Sequence, residues 1–341
     1  MSHIILILVF GALFGWIIDY GRLNKYDVIS AQAGFKNNTV LKAILLSIGV
    51  GAILLSIFIG LGWAGFHVKP FVVWGVVIGG LLFGAGMAVL GYCPGTLPIS
   101  AAQGAVDAWI GIAGGVLGGW FYTLIYPDIS GLLDFNMGKI SLFSLVEDFS
   151  WLYYILVLIL SAIFILLAFR IPANKGATDK RWAVAGVLLA VLNSIVFLKA
   201  TTNRPIGAST TYPYVGAHLG GLTNSVYYQK IQTPGHWELI FLTGAFLLVL
   251  IRSLLQGNFK WQLIYPSWAD QFGTAKNKRI WAALIGGFIL IFGARLAGGC
   301  TSGHIISGGM QLAISSLIFA LFVFLGLYLT GIFLKKWSRK L

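Results

Sequence analysis

Charge is scarce in this chain. Asp, Glu, Lys and Arg make up 10% of its 341 residues, where a soluble domain carries about 25%, and that shortage excludes an ordinary soluble fold. The two cysteines, 207 residues apart, are too few for a disulfide framework or a metal site and report little about redox compartment. No carboxylate proton relay and no ATP-binding motif is visible, so neither a cofactor nor a metal is expected. A cleaved signal peptide is lacking too: the apolar run 4–18 ends in Asp19–Tyr20–Gly21–Arg22 with no small-residue cleavage site, and reads as a first, short span.

What the chain has is apolar length. Hydrophobic residues make up 58% and mean hydropathy is +0.88, the values of an integral membrane protein. A spanning helix needs roughly 20 apolar residues, which places about nine spans near 4–20, 39–62, 71–90, 104–125, 151–170, 182–200, 237–255, 280–298 and 311–334. The formal charge of +13 does not point to nucleic acid, because the basic residues fall in the short connections. Arg22, Lys25, Lys36 and Lys42 follow span one; Arg170, Lys175, Lys180 and Arg181 follow span five; Arg252, Lys260, Lys276, Lys278 and Arg279 follow span seven; Lys335, Lys336, Arg339 and Lys340 close the chain. All four clusters then share one face, the cytoplasmic one by the positive-inside rule, with the N-terminus outside and the C-terminus inside. The acidic 126–150 connection goes to the other face.

The cysteines mark an internal duplication. At an offset of 207 the stretch Trp74–Ser100 matches Trp281–Ser307 at nine of 27 positions, including Gly79/Gly286, Gly86/Gly293, Gly91/Gly298 and Cys93/Cys300. With this span count the two copies run in opposite directions. The expected fold is therefore an all-α polytopic membrane protein of about nine transmembrane helices plus short re-entrant helices, arranged as an inverted-topology repeat. Repeat one is 1–125, a linker with span five is 126–181, and repeat two is 182–341. The 201–236 connection, rich in Gly, Thr, Tyr and Pro, is too apolar for a solvated tail and is expected to dip back into the protein.

Gly91–Tyr92–Cys93–Pro94–Gly95–Thr96 should break its helix, with Pro94 in the first turn of the next. A broken helix at membrane depth exposes N–H groups and a positive dipole end, an anion site without a charged side chain. A thiol there is a weak, polarisable donor to a soft, sulfur-bearing anion. Gly299–Cys300–Thr301–Ser302–Gly303–His304 repeats the arrangement. A bland reading, cysteine as apolar filler between small-residue packing surfaces, weakens when two such motifs sit at matched positions. Arg295, mid-span, either attracts the anion or forms a structural ion pair, with Asp107 as the candidate partner. His304 either contacts substrate or braces its turn, while Asp19 and Lys199 read as interfacial. Arg22 with Asn24, and Arg204, occupy similar polar segments after the first span of each repeat.

With Gly293–Ala294–Arg295–Leu296–Ala297–Gly298–Gly299–Cys300–Thr301–Ser302–Gly303–His304, and also Gly91–Thr96, Gly11–Gly15 and Arg204–Ser209, the chain resembles the YeeE/YedE family of sulfur-compound transporters over nearly its whole length. The resemblance implies an hourglass-shaped protein for thiosulfate uptake in the bacterial inner membrane. It also implies transfer along a row of cysteines, carried over onto Cys93 and Cys300, and delivery to a small cytoplasmic sulfurtransferase-like partner. Members with three functional cysteines hold one in an Arg-x-x-Cys-like context after the first span. Here that segment reads Arg22–Leu23–Asn24–Lys25, and Asn24 offers hydrogen bonds but no sulfur. The rival functions are a thiol redox or sulfur-transfer enzyme using the two cysteines, a selenium-compound transporter of the same family, and a membrane scaffold for a soluble sulfur carrier.

Overall fold

A computed structural model describes residues 2–34, 36–172 and 179–338; Lys175, Arg339 and Lys340 of the topology argument lie outside the described residues. Backbone in hydrocarbon must satisfy its own polar groups, so the long apolar runs become helices. In chain order these are α1 Ser2–Tyr20, α2 Tyr26–Gln32, α3 Thr39–Gly60, α4 Val73–Leu90, α5 Leu97–Ala101, α6 Val106–Ile129, α7 Leu142–Leu145, α8 Ser150–Arg170, α9 Arg181–Phe197, α10 Thr211–Leu219, α11 Val226–Leu255, α12 Pro266–Phe272, α13 Lys276–Leu296, α14 Ser307–Met310 and α15 Ile314–Ser338. Among the described residues there is no β-strand, only isolated bridges such as Ala64 with Leu198.

Eight of these stretches are long and apolar enough to cross a membrane, and the chain is a multi-pass membrane protein. The ninth expected span, 182–200, is the shorter α9, with 17 residues. It stops early because hydroxyls from the following turn take its last carbonyls: Thr201 Oγ1 donates to Ile195 O at 2.6 Å and Thr202 Oγ1 to Val196 O at 2.9 Å. The 201–236 segment packs into the protein, and the span after it starts earlier than expected. It divides into α10, packed on α6 and α11, and the start of α11, which begins at Val226 rather than at 237. Ser225 sets that start by accepting from the Tyr228 N–H at 3.2 Å.

Small residues set how closely the helices approach. A Cβ added at Gly79 would lie 2.6 Å from the Gly293 carbonyl oxygen, and one at Gly86 2.9 Å from that of Gly286, so α4 and α13 touch backbone to backbone. Gly15 on α1 meets Ala245 on α11 in the same way. The exposed perimeter is aliphatic, with Ile5 and Val9 on α1, Leu158 and Leu166 on α8, and Leu321 and Leu329 on α15. Such an apolar surface suits contact with lipid.

One ion pair is buried at the heart of this packing. Arg279, in the first turns of α13, and Asp107, in the first turn of α6, are both fully buried and hydrogen-bonded to each other. The Tyr92 hydroxyl lies 3.2 Å from each Asp107 oxygen, and the guanidinium stacks 4.4 Å from the Tyr26 ring and 4.8 Å from that of Trp268. The sequence places Arg279 among the topology-setting charges of a connection and offers Asp107 as a partner for Arg295; the structure pairs Arg279 and Asp107 with each other instead. Removing one partner of such a pair leaves an uncompensated buried charge, which costs about 3–5 kcal/mol. Asp107→Ala is therefore expected to lower the thermal melting midpoint of the detergent-solubilised protein well below that of an exposed control such as Asp128→Ala. Equal midpoints would show that the pair does not hold the fold.

Candidate functional site

Two long helices stop inside the protein, and each stop uses a left-handed glycine. Gly91 has φ +81°, its N–H bonds Met87 O at 2.9 Å, and an added Cβ would strike the Tyr26 ring. The chain then turns through Pro94–Thr96 into α5, where Pro98 holds the first-turn position expected of Pro94. At the second stop, Gly298 has φ +75° and the Gly299 N–H bonds Ala294 O at 2.8 Å. Cys300 follows in extended backbone, then a π-helical turn Thr301–Ile306 that runs into α14.

The two motifs meet. Cys93, Gly95 and Thr96 from the first, and Thr301 and Ser302 from the second, line one cavity of about 60 Å³, walled by apolar side chains including Phe14, Met87 and Phe324. Cys93 is half-buried, with its N–H donating to Thr96 Oγ1 at 3.0 Å and its carbonyl accepting from the Leu97 N–H at 3.1 Å. Cys300 is 1% exposed, with Sγ 3.3 Å from Ser302 Oγ. The Tyr212 hydroxyl donates to Pro94 O at 2.7 Å, tying the first break to α10.

A buried polar lattice supports the second break. Arg295 donates to Thr210 Oγ1 at 3.0 Å and Ser209 Oγ at 3.1 Å, and among the described residues its Nε has no hydrogen-bond partner. Glu238 accepts from the Thr210 N–H at 2.6 Å and lies 3.9 Å from the Arg204 guanidinium, which stacks on Trp237 at 4.3 Å. Both His304 nitrogens are engaged, Nε2 with the Ala297 carbonyl and Nδ1 with Ser316 Oγ, each at 2.9 Å. Nε2 must be the donor to that carbonyl, which leaves Nδ1 to accept from the hydroxyl. His304 thus braces its turn. Gly303 of the same turn lies against Ile206 and Gly207. Lys69, from the connection between α3 and α4, donates from Nζ to the Gly298 carbonyl.

The basic face holds a second, larger cavity of about 420 Å³, lined by Arg22, Lys25, Arg181, Arg252 and Lys260, with Asp19 as its carboxylate. Its floor is a hydrogen-bonded latch. Asn24 Nδ2 and Lys25 Nζ both donate to Gln103 Oε1, at 2.9 and 2.6 Å, and Gln103 Nε2 donates to Asp19 Oδ1 at 2.6 Å. Ser100 Oγ donates to Asn24 O at 2.7 Å. Burial pushes the Lys25 ammonium below its ordinary range, against the opposing pull of Asp19. The structure therefore brings Arg22 and Asn24 to this chamber, and Arg204 and Arg295 to the Cys300 side.

Sequence reasoning missed Lys69, Gln103, Tyr212 and Glu238. Glu238 carried a signal, being a carboxylate at the start of an apolar run. Lys69 carried none, since a lysine beside Pro70 in a connection looks like any interfacial charge.

Known proteins similar in sequence to this chain are transporters. The sequence profile of the family described as sulphur transport matches residues 21–329. The chain is 27% identical over 340 residues to the thiosulfate transporter TsuA of Spirochaeta thermophila, covering 94% of this chain and 95% of that one. It is 24% identical over 326 residues to the TsuA of Escherichia coli, covering 87% and 85%. A probable transporter, YedE of Escherichia coli, is 26% identical over 168 residues, 48% of this chain and 41% of that one. The different burial of the two thiols gives a direct check: a small maleimide should label Cys93 at least about ten times faster than Cys300 in the folded protein, because reaction needs access as well as thiolate. Comparable rates would contradict the described packing around Cys300.

Proposed function

The chain belongs to the sulphur-transport family, and from that premise we propose that it takes up a small sulfur-containing anion, thiosulfate first, along a path through Cys300 and Cys93. One observation carries the reading: thiol- and hydroxyl-bearing residues from two separate helix breaks line a single, largely apolar cavity, Cys93 and Thr96 from one side and Thr301 and Ser302 from the other. These are weak donors, suited to a soft anion that must leave as readily as it enters. The names of the TsuA relatives support thiosulfate as the substrate.

The anion enters where Lys69, Arg204 and Arg295 gather, passes Cys300 and then Cys93, and leaves past Asn24 and Gln103 into the basic chamber. In this reading the chamber faces the cytoplasm, the N-terminus lies outside and the C-terminus inside, and the membrane is the bacterial plasma membrane. A small sulfurtransferase-like protein receives the anion there. The halves 1–125 and 182–341 are inverted repeats around a linker carrying α8. Reciprocal packing supports that division: α6 lies on α13 as α15 lies on α4, and α1 on α11 as α9 on α3. Gly79 against Gly293 and Gly86 against Gly286 are the same contact seen from the two sides.

The test is uptake of ³⁵S-thiosulfate by cells lacking other routes. Cys93→Ala and Cys300→Ala are each expected to lower the initial rate at least about tenfold, the scale of one lost hydrogen bond to a charged group. Wild-type rates in both variants would remove the thiols from the path.

A further inference from the structure

Each helix break is closed by a cation from outside its own helix, and the two cations are held differently. Arg279 donates to the carbonyls of Leu90 at 2.7 Å and Val89 at 3.3 Å, at the end of α4. Lys69 donates to the carbonyl of Gly298, at the end of α13. At the 207-residue offset Gly91 corresponds to Gly298, so the two caps sit at nearly the same place in the two motifs. Arg279 is locked by Asp107 and two aromatic rings. Lys69 is half-buried, and among the described residues no carboxylate lies within ion-pair distance of it. Its own carbonyl is anchored by Ser315 Oγ at 3.0 Å. The backbone is thus fixed while the ammonium hangs on one carbonyl.

The place it occupies is the approach to Cys300. A Cβ added at Gly299 would lie 2.8 Å from Lys69 Nζ, and one at Gly303 would lie 3.8 Å from its Cε. Near Lys69, Nε of Arg295, itself 5% exposed, has no hydrogen-bond partner among the described residues. Buried polar groups in native proteins are almost always paired, and an arginine N–H left open beside Lys69 is available to bond an anion. The residue types matter as well. An arginine's planar fork suits a permanent, multiply bonded cap, whereas a lysine is a point charge on a flexible stem that can change partner.

Resting on the transport reading above, we propose that Lys69 is the first ligand of the incoming oxyanion, its ammonium leaving the Gly298 carbonyl to take the anion at the mouth beside Cys300. The anion is then passed to Arg295 and the Cys300 motif, and Lys69 returns to its cap. No bond is made or broken apart from hydrogen bonds. The groups facing Lys69 are Arg295 on α13, Glu238 on α11, Arg204 before α10, and Cys300 and His304 of the second motif. Burial, reinforced by Arg295, pushes the Lys69 ammonium down to about 8, with Glu238 opposing. The binding-competent form is the protonated one, so it is nearly complete below pH 7 and half lost at about pH 8.

Two measurements test this separately from the function. In the purified wild-type protein, acylation of Lys69 is followed by mass spectrometry against pH, with and without thiosulfate and, separately, sulfate. Half-maximal reactivity near pH 8 and protection by at least one of the two anions are expected; no protection by either overturns the inference, whether or not thiosulfate is transported. In the uptake assay, Lys69→Met should raise KM about tenfold, one lost charge-assisted contact, and Lys69→Arg, which keeps a cation there, should hold KM within about twofold of wild type. Lys69→Arg should abolish the loss of uptake above pH 8. An unchanged KM in Lys69→Met, or an alkaline loss that persists in Lys69→Arg, refutes it. Failure of the wild type to take up thiosulfate, with Lys69 still protected by sulfate, would refute the substrate and leave the Lys69 assignment standing.

Discussion

A helix cannot stop at membrane depth unless something takes up the carbonyls its last turn leaves open. In this protein that constraint falls on two places, the ends of α4 and α13, and much of the remaining polar architecture serves it. Left-handed Gly91 and Gly298 turn the chain. Arg279 and Lys69 then donate to the exposed carbonyls, at the negative ends of the helix dipoles where a cation is favoured. The breaks in turn set the positions of Cys93 and Cys300.

Close helix packing makes those long reaches possible. Backbone contact between α4 and α13 at Gly79, Gly86, Gly286 and Gly293 brings the first turns of α13 alongside the end of α4, within the length of one arginine side chain. A larger residue at any of these positions would separate the helices and withdraw Arg279 from its carbonyls. The glycines and the buried charge are therefore one device, in which packing supplies proximity and the ion pair fixes the break.

Elements governed by local pattern were legible in the sequence. The apolar runs gave α3, α4, α6, α8 and α15 within a few residues, and glycine placement gave both breaks. Features set by distant partners were not. Asp107 and Arg279 lie 172 positions apart, and each alone looks like an ordinary helix-end charge. Arg295, the obvious mid-span charge, proved to hold Ser209 and Thr210 rather than an acid. The early end of α9 depends on two threonine hydroxyls beyond it, which hydropathy does not register. Proline placed the turn after Cys93 correctly in kind but one turn early, because both Pro94 and Pro98 suit a helix start and only the Cys93 carbonyl bonds to Thr96 and Leu97 decide between them.

The distribution of charge follows a rule of its own. Cations gather at both ends of the proposed path, Lys69, Arg204 and Arg295 at one and Arg22, Lys25 and Arg252 at the other. The cavity between them is largely apolar, lined by residues that include Cys93, Thr96, Thr301 and Ser302, and among the described residues no charged side chain lines it. A dianion leaving water for a buried site needs compensation, since an unpaired charge is costly in low dielectric. A lysine or arginine at the narrowest point would supply it in excess, because the same low dielectric makes a direct ion pair slow to break. Conduction needs binding strong enough to enter and weak enough to leave. Strong attraction at the two mouths and weak dipoles between them meet both requirements, and the scarcity of charge that marks the sequence becomes, at the centre of the protein, a condition of transport.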